Sequence, residues 1–183
     1  APIRQVEEAV LSVERVAHAQ GANLTGTVRV TAPETFGASY LAPIVSAFGR
    51  QHPGLVVELV ASGEVLDLGR QKAQLAVRNF RSKQQNLVVR RAAQVAYGLY
   101  GAESYLAHRP VKSKDALKDH PILGSPEEDA IESAWLRRLH PRAEASFVSV
   151  SSIALLSAAR AGAGLAVLPR YLGDAEPTLR RVP

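Results

Sequence analysis

The spacing of apolar positions changes period along the chain, and each change marks an element. In residues 1–21, Ile3, Val6, Val10, Val13 and Ala17 recur three or four positions apart, with Glu7, Glu8, Glu14 and Arg15 outside that seam. The pattern predicts an amphipathic helix with a heptad-like face. Such a face either packs on its own domain or meets a partner helix; alone it is too short to stand as a coiled coil. Gly21, Asn23 and Gly26 break it. Residues 27–31 are then short and rich in β-branched side chains, and 55–61 form a nearly continuous apolar run. Strands covered on both faces read this way, which favours a parallel sheet. Between them Leu41, Ile44, Val45 and Phe48 line one face of a helix that Gly49, His52, Pro53 and Gly54 stop. Strand, helix and parallel strand make a right-handed crossover.

Downstream, Ser62, Gly63 and Glu64 form a turn, 65–72 a short helix, 75–78 a third strand and 79–86 a polar loop. Residues 87–92 and 95–101 are β-like, the second through alternation of Val95, Tyr97 and Leu99. The pattern continues with a helix over 103–107, a Ser113-capped helix to Lys118 and a strand at Ile122 and Leu123. A helix over 129–139 follows, its acidic start (Asp129, Glu132) and basic end (Arg137, Arg138, His140) complementing the helix dipole. Last come a strand over 147–150, a helix capped by Ser151 or Ser152 and stopped by Gly162 and Gly164, and a buried strand at 165–168.

Composition narrows the class. The 183 residues suit one domain or two small lobes, and 46% hydrophobic with 21% charged residues is ordinary for a globular protein. Cysteine is absent, which excludes disulfides and thiolate metal sites and permits a reducing compartment. No apolar run is long enough for a membrane span, and the N-terminus shows neither a signal-peptide progression nor an initiator Met, as expected of a fragment or a processed chain. The net charge of +5 comes from scattered basic residues apart from Arg78, Arg81, Lys83, Arg90 and Arg91, a cluster read as solvated surface.

The chemistry-bearing residues point to binding. His18, His52, His108, His120 and His140 have no ligand spacing, so no metal site and no cofactor is expected. There is no nucleophile elbow and no thiol, hence no catalytic set. Gly162 and Gly164 stand between a helix and a strand, the reverse of a dinucleotide fingerprint. Glu127, Glu128 and Asp129 are adjacent at a helix start and read as caps. What remains is a set of hydroxyls after strands: Thr35, Ser62, Ser125, Ser151 and Ser152. Each is either a helix cap or a donor to a small polar or anionic ligand. Pro33, Phe36 and Tyr40 supply apolar walls, and Arg78, ending the third strand, is the charge partner.

The run VRVTAPETFGASYLAP (28–43), followed by Phe48, His52-Pro53 and VVEL (56–59), resembles the opening of the effector-binding domain of LysR-type transcriptional regulators. VLDLGRQKAQLAVR (65–78), VVRRAA (88–93), YGLYGAESYLA (97–107) and AARAGAGLAVLPRYL (158–172) continue the likeness in order. Gln74 stands where the family usually has Asp. The resemblance implies an α/β fold of two Rossmann-like lobes, the type II periplasmic-binding-protein-like effector domain. It implies a linker and dimerisation helix at 1–21, lobe I from 26–93 and 174–183, and lobe II from 94–173. The family pattern continues past Pro183 with a return strand and a helix, so lobe I is expected to lack its C-terminal part. A small-molecule effector would lie between the lobes on Pro33, Thr35, Phe36, Ser62, Arg78, Ser125, Ser151 and Ser152. Further implied are a homodimer or homotetramer, DNA contact through an N-terminal winged helix outside this chain, a cytoplasmic location, and no enzymatic activity. The alternative on the same architecture is a stand-alone solute-binding protein.

Overall fold

A computed structural model of the chain describes residues 24–63, 73–81, 87–127, 130–139 and 145–182. The helices expected over 1–21 and 65–72, and most of the basic loop, lie outside the described residues. The chain divides into two compact units, Ala1–Gln94 and Val95–Pro183.

The first unit holds a parallel sheet of β1 (Gly26–Ala32), β2 (Leu55–Ala61) and β3 (Leu75–Ala76) in the order β2-β1-β3. The register sets Gly26 opposite Leu55 and Ala32 opposite Ala61. Arg29 faces Glu58 in that register, and their side chains meet at 2.7 Å. Both are well exposed, so the pair adds little stability. Gln74 joins β3 to β1 from the other side: the Arg29 N–H donates to its Oε1 at 2.7 Å, and its own N–H donates to the Arg29 carbonyl at 3.0 Å. Burial is concentrated at the carboxyl end of β1, in Val30, Thr31 and Ala32, while Val56 on β2 stays exposed. The two-faced burial expected of these strands is therefore confined to their ends.

Helix follows β1 at once, as α1 (Glu34–Phe36), a π-helical stretch (Gly37–Leu41) and α2 (Ala42–Gln51). A Cβ on Gly37 would lie 2.7 Å from the Ala61 Cβ, so the missing side chain lets this turn close on the end of β2. The expected third strand is shorter than 75–78, although the Val77 N–H still donates to the Thr31 carbonyl at 2.8 Å. Residues 87–92 form no strand; Val88 is fully exposed. Their apolar run finds no partner strand among the described residues, which is why composition misled there.

The second unit is a mixed sheet, β6-β5-β7-β4-β8, of β4 (Tyr97–Ala102), β5 (Ile122–Gly124), β6 (Ala145–Val148), β7 (Leu165–Pro169) and β8 (Leu179–Val182). β5 runs parallel to β6 and β7, whereas β4 is antiparallel to β7 and β8. β8 corrects the sequence assignment of 174–183 to lobe I: Leu99 pairs with Val182 and Ala102 with Leu179 inside the second sheet. Adjacent residues feed opposite faces. Leu99, Ile122, Leu165 and Val167 pack with Leu117 and Leu136. Tyr100, Leu123, Ala166 and Leu168 pack with Leu155 and Ala159. Two covered faces explain why β7 is an unbroken apolar run.

Helices α3 (Glu103–His108), α4 (Ile131–Leu139), α5 (Ser152–Arg160) and α6 (Arg170–Gly173) complete this unit. The element after Ser113 is a 3₁₀ helix (Lys114–Asp119) with no side-chain cap bond, in place of the capped helix expected. Gly162 and Gly164 end α5 with φ of 77° and 155°. A side chain on Gly164 would run into the Pro121 carbonyl, so both conformation and space require glycine there.

Candidate functional site

Three strands of the first unit end together, and the candidate residues gather there. Thr31, wholly buried, is the last but one residue of β1. Its Oγ1 accepts from Arg78 Nη2 at 3.0 Å, and Arg78 Nη1 donates to the Val77 carbonyl at 2.7 Å. Thr31 was not singled out from the sequence, where it reads as one more β-branched strand residue. Burial lowers the Arg78 pKa from its ordinary value, yet a guanidinium keeps its charge in proteins. Ser62 follows β2, and its N–H donates to the Ala32 carbonyl at 3.0 Å, tying the turn to the end of β1.

Pro33 starts the helix, with φ −54° and ψ 141° and no side-chain cap bond. Its carbonyl accepts from the Gly37 N–H at 2.7 Å. Thr35 therefore lies within the first helical turn, not in a loop ahead of it, and it is not the N-cap. This corrects the sequence expectation and removes the structural alternative offered for Thr35. The first N–H groups of a helix lack intrahelical acceptors, so the segment from Glu34 to Phe36 presents donors to an anion or carbonyl. Phe36 is buried and tilts against Tyr40, ring centroids 5.1 Å apart.

In the second unit the strand ends carry a different set. The Ser125 Oγ accepts from the Glu127 N–H at 3.2 Å, and its carbonyl accepts from Ser133 Oγ at 3.4 Å. Ser151 caps α5, accepting from the Ala154 N–H at 3.4 Å. Ser152, one residue on, donates to Glu132 Oε1 at 3.5 Å. Glu132 sits in the first turn of α4. Tyr97 opens β4 opposite Pro169, and Tyr171 lies in α6 just beyond β7. Burial, followed by the Glu132 charge, raises both phenols: Tyr171 to about 12, Tyr97 further still. Both are neutral hydroxyls at physiological pH.

Sequence reading missed Glu132, Tyr97 and Tyr171. Glu132 was absorbed as a dipole-complementing residue, Tyr97 as part of an alternating strand, and Tyr171 was not singled out. Only the topology brings the start of antiparallel β4 to the carboxyl ends of β5 and β7. Among the described residues, no group of three His, Cys, Asp or Glu could hold a metal ion, and no helix is long and apolar enough to cross a membrane.

Comparison with known proteins agrees with this architecture. Residues 21–183 match the family model described as the LysR substrate binding domain. An uncharacterized HTH-type transcriptional regulator of Haemophilus influenzae is 27% identical over 155 residues, which are 82% of this chain and 54% of that protein. The chain thus spans about half the length of that relative. Among solved structures, the regulatory domain of CrgA, a LysR-type transcriptional regulator from Neisseria meningitidis, superposes with a TM-score of 0.72 at 21% identity, covering 87% of this chain and 81% of that one. The effector domain of the transcriptional regulator AmpR of Pseudomonas aeruginosa gives 0.66 at 23%, covering 85% and 78%. These likenesses show the fold, the type II periplasmic-binding-protein-like α/β architecture.

Proposed function

The chain belongs to the LysR substrate-binding domain family and is an effector-binding domain of that type; from this premise we propose that it senses a small organic molecule with an anionic group for a DNA-binding transcriptional regulator. The observation that carries the anionic preference is Arg78, held by Thr31 Oγ1 and the Val77 carbonyl where three parallel strands end. A guanidinium fixed by two hydrogen bonds is pre-oriented, and partial desolvation strengthens its attraction for an anion. Thr35 and the first N–H groups of α1 add neutral donors, Ser62 a second hydroxyl, and Pro33 a rigid edge. In the second unit Ser125, Ser151 and Ser152 are the corresponding contacts of this reading.

The remaining parts of the proposal concern the whole protein. The chain works in the cytoplasm as part of a homodimer or homotetramer and acts on DNA through a winged helix N-terminal to it. It turns nothing over: the relatives are transcriptional regulators. The solute-binding alternative draws no support from them.

A thermal-shift screen of small organic acids and their neutral analogues tests the reading. A ligand at a hundred times its dissociation constant adds about 2.7 kcal/mol, a readily measured rise in melting temperature. Arg78→Gln should abolish the rise for acids. Acids that bind equally well to Arg78→Gln would overturn the assignment.

A further inference from the structure

The second unit carries a cleft of about 770 Å³ at the end of its sheet away from Ser125, Ser151 and Ser152. Ala102 ends β4, which runs antiparallel to β7, and Arg160 ends α5 just ahead of β7, so the cleft lies toward the amino ends of the parallel strands. Its walls come from three segments: Glu103 and Ser104 of α3, Ser157 and Arg160 of α5, and Pro177 and Thr178 ahead of β8. The Glu103 N–H donates to the Thr178 carbonyl at 2.9 Å and ties the first wall to the third. Clefts of about 300–1,000 Å³ are the usual size for small organic ligands. Two ion pairs set opposite charges on these walls. Arg160 Nε meets Glu176 Oε2 at 3.2 Å, while Glu176 Oε1 accepts from the Thr178 hydroxyl at 2.8 Å and from its N–H at 3.3 Å. The Thr178 bonds hold the Glu176 carboxyl below the usual carboxylate range, so it stays charged against Arg160. Arg180 Nη2 meets Glu103 Oε2 at 2.8 Å, and Arg180 Nη1 donates to the Pro177 carbonyl at 2.8 Å. Each pair engages only part of the side chain that lines the cleft. Among the described residues, the Nη groups of Arg160, the other oxygen of Glu103 and the hydroxyls of Ser104 and Ser157 meet no partner. Pairs this exposed add little stability, but they fix a guanidinium and a carboxylate in place.

We propose that this cleft is a second small-molecule site, separate from the strand ends of Ser125, Ser151 and Ser152, and that it takes a zwitterion of the amino-acid or short-peptide class. The ligand carboxylate lies on Arg160 and Ser157, and its ammonium on Glu103 and Ser104. Ser157 and Arg160 stand three residues apart on α5, so hydroxyl and guanidinium share one helix face. A guanidinium fixed through Nε keeps its Nη donors for charge-assisted bonds to a carboxylate. Across the cleft, Glu103 accepts the N–H donors of an ammonium. The charges of Arg160 and Arg180 balance those of Glu103 and Glu176, so the cleft has no net charge to attract a simple anion or a simple cation. A ligand with one charge leaves the other wall unmatched, whereas a zwitterion answers both. Ala102, Ala161 and Pro177 leave the space between the charges apolar. The site lies wholly within the second unit and is independent of the anionic effector assigned to Arg78.

The test titrates alanylalanine, its N-acetyl derivative and its C-terminal amide into isotope-labelled protein and follows the backbone amide resonances. The free dipeptide should move the amides of Ser104, Ser157, Arg160 and Thr178 saturably and leave those of Ser125, Ser151 and Ser152 in place. Each cap removes one charge and should weaken binding roughly tenfold. Arg160→Gln should weaken the free dipeptide by a similar factor and make the C-terminal amide no worse a ligand than the dipeptide. Should Arg160→Gln fail to fold once Glu176 loses its partner, Ser157→Ala, which touches neither ion pair, and Glu103→Gln, on an exposed wall, carry the same test, each with weaker binding expected. The absence of saturable shifts at millimolar dipeptide, equal binding of the capped and free forms, or shifts confined to Ser125, Ser151 and Ser152 would each overturn the site. The effector reading is judged separately, by the response of acids to Arg78→Gln.

Discussion

The hydroxyl of Tyr100 donates to Asp174 Oδ1 at 2.6 Å, from a strand in the middle of the sheet to the residue that ends α6. Arg170 Nε reaches the other carboxylate oxygen at 3.1 Å. Burial alone would raise the Asp174 carboxyl, but the hydrogen bonds from Tyr100 and Arg170 and the charges of Arg170 and Arg181 outweigh it and bring the pKa below its ordinary value. A depressed folded pKa stabilises above the unfolded value and is lost as pH falls through the folded one. Asp174→Asn should therefore flatten the loss of stability below about pH 4, read as the slope of urea midpoint against pH. Tyr100→Phe should cost about 1–2 kcal/mol, the lower part of the range for a bond to a charged acceptor, because Asp174 is partly solvated.

The same ring sets a steric limit. A Cβ on Gly173 would lie 2.5 Å from two Tyr100 ring atoms. Gly173→Ala should destabilise the second unit by about 1–3 kcal/mol as the ring is displaced from its packing. If Gly173→Ala costs much less in a Tyr100→Leu background than in wild type, the clash with the ring is the cause. A single variant as stable as wild type would show that α6 can shift away at no cost.

His120 is buried, with Nδ1 2.8 Å from the Tyr105 hydroxyl. Burial lowers its pKa, the Arg109 charge lowers it further, and Asp119 opposes them in part. The folded state thus holds the neutral ring. Its contribution is complete above the unfolded pKa near 6.5 and is lost as pH falls below it. Chemical denaturation at pH 7.5 and pH 5.5 should show a drop for wild type that is smaller for His120→Gln. An identical drop in both would assign the pH dependence to other groups.

How much could be read from the chain alone depended on whether local pattern or tertiary pairing decides the element. The crossover of β1, α2 and β2 was legible, because period and breakers are local. So was α5, whose Ser151 cap and two-glycine stop stand in sequence. β8 was not: Leu179, Arg180, Arg181 and Val182 carry too little apolar signal, and only pairing with β4 makes them a strand. The π-helical stretch escaped because Gly37 reads as a loop residue until the closeness of Ala61 is seen. Among the candidate residues, the position of Arg78 after an apolar strand was legible. Its partner Thr31 was not, since a threonine in a strand looks the same whether or not its hydroxyl is engaged.

Thr35 separates local stability from binding. It occupies the first helical turn after Pro33, where no capping bond depends on its hydroxyl. Thr35→Val keeps volume and β-branching and removes only the donor. The change should leave the melting temperature of the free protein nearly unchanged, since no cap is lost. If the hydroxyl contacts the effector, affinity should fall by roughly 1–3 kcal/mol, about tenfold or more. Ser151→Ala should differ in stability, because the Ser151 hydroxyl caps α5 and its loss should cost about 1 kcal/mol in the free protein, whatever its effect on affinity. Both variants are compared by melting without ligand and by titration with a compound identified in the thermal-shift screen. Unchanged affinity in Thr35→Val would remove Thr35 from the site and leave Arg78, with its own fixed geometry, as the anchor of the first unit.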